Sequence, residues 1–237
     1  MKNKAPIVSL KELRSRIKKL QNALKKESYA AMAVIEAGAE KIRSRDTNYS
    51  FRQNSDFWYL TGSEQLRDAA LLVSSEKVVL VVKKVSKKKK LWEGAGVNAK
   101  VIARNIGAQF LEIESTLSSA IACNLLKVDL VLLDTKFASS KKVSNFILNC
   151  PGNSSIRFVG LLEQTMASLR LYKSATEISF IEEANKITAE CLTDLLPYIK
   201  PGATEKSLLR RLEANFFLHD VDASFRPIIA TLSLIHI

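Results

Sequence analysis

The side chains able to do chemistry are densest in Arg52-Gln53-Asn54-Ser55-Asp56, which runs directly into Phe57-Trp58-Tyr59-Leu60-Thr61-Gly62. Adjacent guanidinium, amide and carboxylate groups could bind a substrate, or they could satisfy buried backbone groups and pair with one another beside an aromatic core. The second use is the expected one, because aromatic segments are mostly interior and the polar groups beside them then need partners. Phe57, Trp58 and Tyr59 supply no metal ligand, though they could wall an interface. Glu182-Glu183 offers two carboxylates, but helical neighbours diverge by about 100° and read as a solvated face. His219-Asp220 reads as polarity at a helix end, with His219 near the negative end of the dipole.

Few other groups could act. His219 and His236 are the only histidines, so neither a Cys/His metal cluster nor a dependable histidine base can be assembled. Cys123, Cys150 and Cys191 are odd in number, widely spaced and form no C-x-x-C pair, which reads as free thiols. The net charge of +12 would attract anions. Its excess lies in Lys18-Lys19, Lys25-Lys26, Lys83-Lys84 and Lys87-Lys88-Lys89-Lys90, where only Trp92 could stack a base, so solvated surface is expected and no nucleic-acid partner. No apolar run reaches the ~18 residues needed to cross a bilayer, and the amino terminus leads into a charged helix, so no membrane partner and a cytoplasmic location are expected.

Positioning these groups requires a globular fold of one large or two small domains. Leu10, Leu13, Ile17, Leu20 and Leu24 mark the apolar face of an opening helix capped by Ser9, with a solvated Lys/Arg face opposite. Tyr29 to Glu36 reads as a buried strand, Phe57 to Leu60 as an aromatic strand, and Ala69 to Val73 with Lys77 to Val82 as a β-hairpin. Helices are predicted over Val97 to Asn105, Leu117 to Leu126 and Ser139 to Leu148, and strands over Gln109 to Ile113, Val128 to Asp134 and Arg157 to Gly160. This alternation is that of an α/β layer. After a boundary near Leu169 to Ser174 the pattern changes to long helices. Ile178, Ile181, Ala184, Ile187 and Cys191 line one helix face, Ser207 to Leu218 forms a second helix, and Ala223 to Thr231 reads as a strand with Pro227 at an edge or bulge.

With Arg45-Asp46-Thr47-Asn48-Tyr49 before it, the Arg52 to Gly62 stretch resembles the signature of the amino-terminal domain of aminopeptidase P, a Xaa-Pro aminopeptidase of the pita-bread metallopeptidases. Leu169-Arg170-Leu171-Tyr172-Lys173-Ser174-Ala175-Thr176-Glu177-Ile178 is similar to the linker entering that family's catalytic domain, where a Pro commonly stands at the position of Ala175. Lys200-Pro201-Gly202-Ala203-Thr204-Glu205 fits the same place, so the resemblance covers roughly residues 10 to 231. Leu91-Trp92-Glu93-Gly94 is similar to the family's Trp-x-Gly segment, without the Arg that normally follows the Gly.

The fold this implies is α/β: a creatinase/aminopeptidase P-type amino-terminal domain, a mixed sheet flanked by helices, over residues 1–168. The first helices and strand of an incomplete α+β pita-bread domain follow over 169–231. Residues 232–237, Leu-Ser-Leu-Ile-His-Ile, look like a translated sequencing adapter and are expected to be an artefactual tail. The implied activity is metal-dependent release of the amino-terminal residue preceding proline, from peptides with proline at the second position, by a homo-oligomer. Two manganese ions are implied, held by two Asp, one His and two Glu, to generate hydroxide and clamp the tetrahedral intermediate. The first of those ligands would lie beyond residue 237, and Asp194, Asp220 and Asp222 do not occupy the motif. The chain as written is therefore expected to be inactive, with no catalytic residue and no metal ligand of its own. By the same resemblance Trp92 is the candidate substrate contact, reaching a neighbouring subunit's active site, and its amphipathic character fits half-buried packing equally well. Two other readings remain: a non-catalytic oligomerisation or interaction module, and a fragment of a prolidase-type dipeptidase.

Overall fold

Ser9 caps the first helix as its sequence predicts, its hydroxyl accepting from the Glu12 N–H at 3.2 Å. The computed structural model describes residues 8–28, 30–86, 91, 94, 96–124, 128–133, 145, 157–159 and 161–230. Helix α1 (Leu10–Glu27) buries Leu13, Ile17, Leu20 and Leu24. Each such side chain contributes about 1.5–3 kcal/mol when removed from water, so this stripe alone fixes the helix against the core. One side chain departs from the expected solvated face: Arg16 is buried.

Two compact units divide the chain, one of them Val8–Tyr172. Its sheet holds β1 (Ala31–Glu36), β4 (Ala69–Ser74), β5 (Val78–Lys83), β6 (Gln109–Ile113), β7 (Leu130–Leu133) and β8 (Arg157–Val159) in the order β6-β5-β4-β1-β7-β8. The sheet is mixed: β4 is antiparallel to β1 and β5, while β1–β7, β5–β6 and β7–β8 are parallel. A separate two-stranded hairpin pairs β2 (Ile42–Ser44) with β3 (Thr47–Asn48).

Near-continuous apolar strands follow from burial on both faces. Ala31, Ala33 and Ile35 face a core shared with α1, Leu71, Leu80 and Leu132, whereas Met32 and Val34 face another with Leu72, Val81 and Val131. Helices α2 (Ser55–Thr61), α3 (Ala99–Ile106) and α5 (Leu161–Leu171) contribute to the first core, and α4 (Leu117–Asn124) covers the second. The expected α/β layers with a mixed sheet flanked by helices are therefore present.

Two predicted strands are absent. Phe57 to Leu60 is helical, within α2, because Asn54 Oδ1 accepts from the Asp56 and Phe57 N–H groups and starts a helix that Gly62 ends in the left-handed region at φ 66°. Residues 223–230 contain no strand, since no neighbouring strand pairs them among the described residues. The expected helix over Ser139 to Leu148 and the expected tail 232–237 lie outside the described residues.

The second unit has its described part over residues 173–230. Helix α6 (Ala175–Leu195) opens on a capping box between Ser174 and Glu177, and α7 (Glu205–Leu218) on one between Thr204 and Ser207. Their small core is Cys191, Leu195 and Leu212 with Ile187, Leu208, Phe216 and Ile229 partly buried. Ile178 and Ile181, expected on the same face as Cys191, are instead exposed, because over 13 residues the 3.6-residue period carries that stripe round the helix. Leu196, Phe217, Leu218, Phe225 and Ile228 are exposed as well.

Burial pushes the Cys191 thiol above its ordinary pKa, and Asp194 and Glu190 act in the same direction. Less thiolate at a given pH means slower alkylation. Iodoacetamide at pH 8 is expected to label Cys191 at least about tenfold more slowly in the native chain than in urea, read by peptide mass spectrometry; equal rates would refute its burial.

Candidate functional site

Gln53 organises the signature stretch. Its Oε1 accepts from the Gly38 N–H at 2.6 Å and the Asn54 N–H at 2.9 Å, while its Nε2 donates to the Leu66 carbonyl at 2.7 Å and the Ser63 carbonyl at 3.3 Å. An amide offers two acceptor lone pairs and two donors, so this side chain is fully used, and the donor/acceptor pattern fixes which atom is nitrogen. Gln53 is buried, and it ties the end of β1, the start of α2 and the approach to β4 into one junction. Thr61 and Ser63 extend it: Thr61 Oγ1 donates to the Phe57 carbonyl at 2.7 Å, and Ser63 Oγ accepts from the Leu66 N–H at 3.3 Å.

Asn54 is spent on the α2 cap. Asp56 accepts from Arg170 Nη1 of α5 at 2.7 Å. Arg170 is partly exposed, so this pair contributes little stability and mainly fixes register. Arg52 is exposed. Phe57 is fully buried, Trp58 is half exposed, and Tyr59 donates its hydroxyl to the Leu169 carbonyl at 3.2 Å. Arg16 lies over the Tyr59 ring at 4.2 Å and donates to the Tyr59 carbonyl at 2.9 Å, with Glu12 pairing its other nitrogen. Its burial is thus accompanied by a carbonyl, a carboxylate and a π-face. Among the described residues no buried side-chain polar atom lacks a partner.

The signature stretch therefore holds α1, α2, α5 and the sheet together through Gln53, Asn54, Asp56 and Tyr59, whereas Arg52 stays at the surface. Sequence reading missed the Gly38, Leu66 and Arg16 components. A cation amid the apolar stripe of α1 was the available signal for Arg16. The Gly38 and Leu66 contacts are backbone groups, which leave no mark in side-chain type.

Glu182 is exposed and Glu183 partly so, as a solvated helix face requires. His219 forms the α7 carboxyl-terminal cap through its own backbone N–H. Lys84 and Glu114 pair on the surface, which raises the lysine pKa and lowers that of the carboxyl through their hydrogen bond and mutual charge. Among the described residues no three His, Cys, Asp or Glu side chains gather where they could hold a metal ion, so the donor set of a two-manganese centre is not found in them. Trp92 lies outside the described residues.

Residues 13–127 match the family model "Aminopeptidase P, N-terminal domain". The chain is 25% identical over 203 residues to the Xaa-Pro aminopeptidase of Escherichia coli K12, covering 79% of this chain and 45% of that protein. It is 24% identical over 239 residues to the mitochondrial intermediate cleaving peptidase 55 of Arabidopsis thaliana, covering 98% of this chain and 47% of that one. Among solved structures, the low-pH form of E. coli aminopeptidase P superposes with a TM-score of 0.72 at 25% identity, over 90% of this chain and 50% of that one. The chain thus spans about half the length of these relatives. Over residues 13–127 this chain therefore carries an aminopeptidase P amino-terminal domain.

Proposed function

We propose that this chain is the scaffold half of a Xaa-Pro aminopeptidase, a hydrolase that releases the amino-terminal residue preceding proline with two manganese ions. The observation that carries the reading is the superposition of nine-tenths of the chain on half of an aminopeptidase P. When bound, the metals would make hydroxide at neutral pH and stabilise the tetrahedral intermediate. The described residues do not fit as their ligands, so no hydrolytic step is assigned to them. Their part is mechanical: the Gln53 junction, and the Tyr59 ring with Arg16 over it at 4.2 Å and Arg170 at 5.9 Å, tie the helices of the sheet domain together. Trp92 is proposed as the substrate contact, offered to a neighbouring subunit of a homo-oligomer that takes peptides with proline at the second position. A cytoplasmic location goes with the reading; among the described residues no helix is long and apolar enough to cross a membrane.

Two measurements test the proposal. The purified 237-residue chain is expected to show neither saturable manganese binding nor cleavage of a peptide with proline at its second position; either activity would remove the scaffold reading. A chimera in which residues 8–172 replace the matching part of the E. coli enzyme is expected to cleave that peptide in manganese. A chimera that folds and binds manganese yet leaves the peptide intact would count against the family activity. A second reading, a non-catalytic interaction module, draws support from the self-contained cores of the 8–172 unit; it is the reading left standing by that second outcome.

A further inference from the structure

The hairpin β2–β3 is exposed at every residue from Lys41 to Ser50, including Ile42 at 73% and Tyr49 at 58%. Two strands alone are marginal in water. The two legs of this hairpin are nevertheless held firmly. On one side the Gln53 amide accepts from Gly38; on the other, Glu40 pairs with Arg67, whose guanidinium stacks on the Phe51 ring at 4.7 Å. The fold thus presents an unsupported hairpin on a rigid base.

Its chemistry is one-sided. Lys41, Arg43, Arg45 and Arg52 stand against the single acid Asp46 across residues 41–52. A register shift between Ile42 and Ser44 interrupts the ladder at Arg43, and Arg43 lies over the Tyr49 ring at 5.9 Å. Bulges of this kind re-aim a side chain next to functional sites. Arg and Tyr are also the residue types that carry most binding energy at protein interfaces. Among the described residues no strand pairs with either outer edge of the hairpin, which leaves main-chain donors and acceptors for another strand.

We propose that the β2–β3 hairpin is a docking edge for an extended acidic polypeptide segment, which adds as a further strand and sets its carboxylates against Lys41, Arg43 and Arg45. The cationic excess selects an anionic partner. The free strand edge and the exposed Ile42 select a polypeptide over a nucleic acid, whose backbone offers no complementary N–H and C=O ladder and whose binding would rest on charge and stacking alone. This surface is separate from the hydrolytic reading and stands or falls without it.

Fluorescence polarisation of the 237-residue chain with a nine-residue peptide alternating glutamate with valine provides the test, with the lysine–valine peptide and a single-stranded oligonucleotide in parallel. Saturable binding of the glutamate peptide alone is expected, weakened about tenfold or more in Arg43→Glu/Arg45→Glu. Those side chains are exposed, so the unfolding midpoint of the variant should match that of the parent. Hydrogen exchange should also slow within residues 41–50 when the peptide is bound. Absence of binding, binding unchanged by the double substitution, or tighter hairpin-dependent binding of the oligonucleotide would each overturn the assignment.

Discussion

Gln53→Leu is expected to destabilise the chain by about 3 kcal/mol or more, the larger of two effects centred on one junction. Leucine has similar bulk but no polar atoms, so the Gly38 and Asn54 N–H groups and the Ser63 and Leu66 carbonyls lose their partner together. A buried polar group left unmatched costs about 1–3 kcal/mol, and four are affected, though the chain can relax to rescue some. For a domain of this size each kcal/mol moves the thermal midpoint by about 2–4 °C, so a drop of about 6–12 °C should appear by circular dichroism. A drop under about 2 °C would mean that the junction is wet and the amide dispensable.

The isosteric change Gln53→Glu sharpens this. Its carboxylate would keep an acceptor for Gly38 but turn an oxygen toward the Ser63 and Leu66 carbonyls, which favours the protonated form and raises the folded-state pKa above the unfolded one. A raised folded pKa means stability that is present below the unfolded value, about 4.3, and lost as pH rises through the folded one. The variant should therefore recover toward the parent on acidification, whereas Gln53→Leu should show no such recovery.

Gly38→Ala is expected to cost about 3 kcal/mol by a different route, steric exclusion. A Cβ at Gly38 would stand 2.5 Å from the Arg52 carbonyl oxygen and 3.1 Å from the Asn54 nitrogen and the Gln53 Cα. All three are backbone atoms and cannot swing aside as a side-chain tip would. Making room requires the strand to part from the segment before α2, which also stretches the 2.6 Å hydrogen bond from Gly38 to Gln53. Because both substitutions break one junction, their effects should be less than additive in the double variant. A chemical denaturation midpoint for Gly38→Ala equal to that of the parent would show that the two segments are not in contact.

The strands and helices of the 8–172 unit were legible where burial leaves a pattern in side-chain type. Two-faced apolar runs such as Ala69 to Val73 could only be interior strands, and the Leu13-Ile17-Leu20-Leu24 spacing could only be a helix stripe. The misread element is instructive. Phe57-Trp58-Tyr59-Leu60 has the composition of a strand, yet Phe57, Leu60 and Thr61 are buried while Trp58 is half exposed, a helical spacing too short to outweigh aromatic β-propensity by inspection. Asn54 and Gly62, the cap at each end, carried the deciding information. Residues 223–230 failed in the opposite sense, since a strand exists only with a neighbour and no local pattern supplies one.

By itself the sequence determined the class of fold, the family resemblance and the expectation that the Arg52 to Asp56 polar groups serve structure, because each depends on local periodicity or on a contiguous string. Tertiary structure alone decided that one glutamine amide joins residues 38, 54, 63 and 66, that Arg16 turns inward onto Tyr59, and that a cationic hairpin stands clear of the fold. These are contacts with backbone groups or between distant segments, and their energies arise only once folding has brought the groups together and taken them out of water.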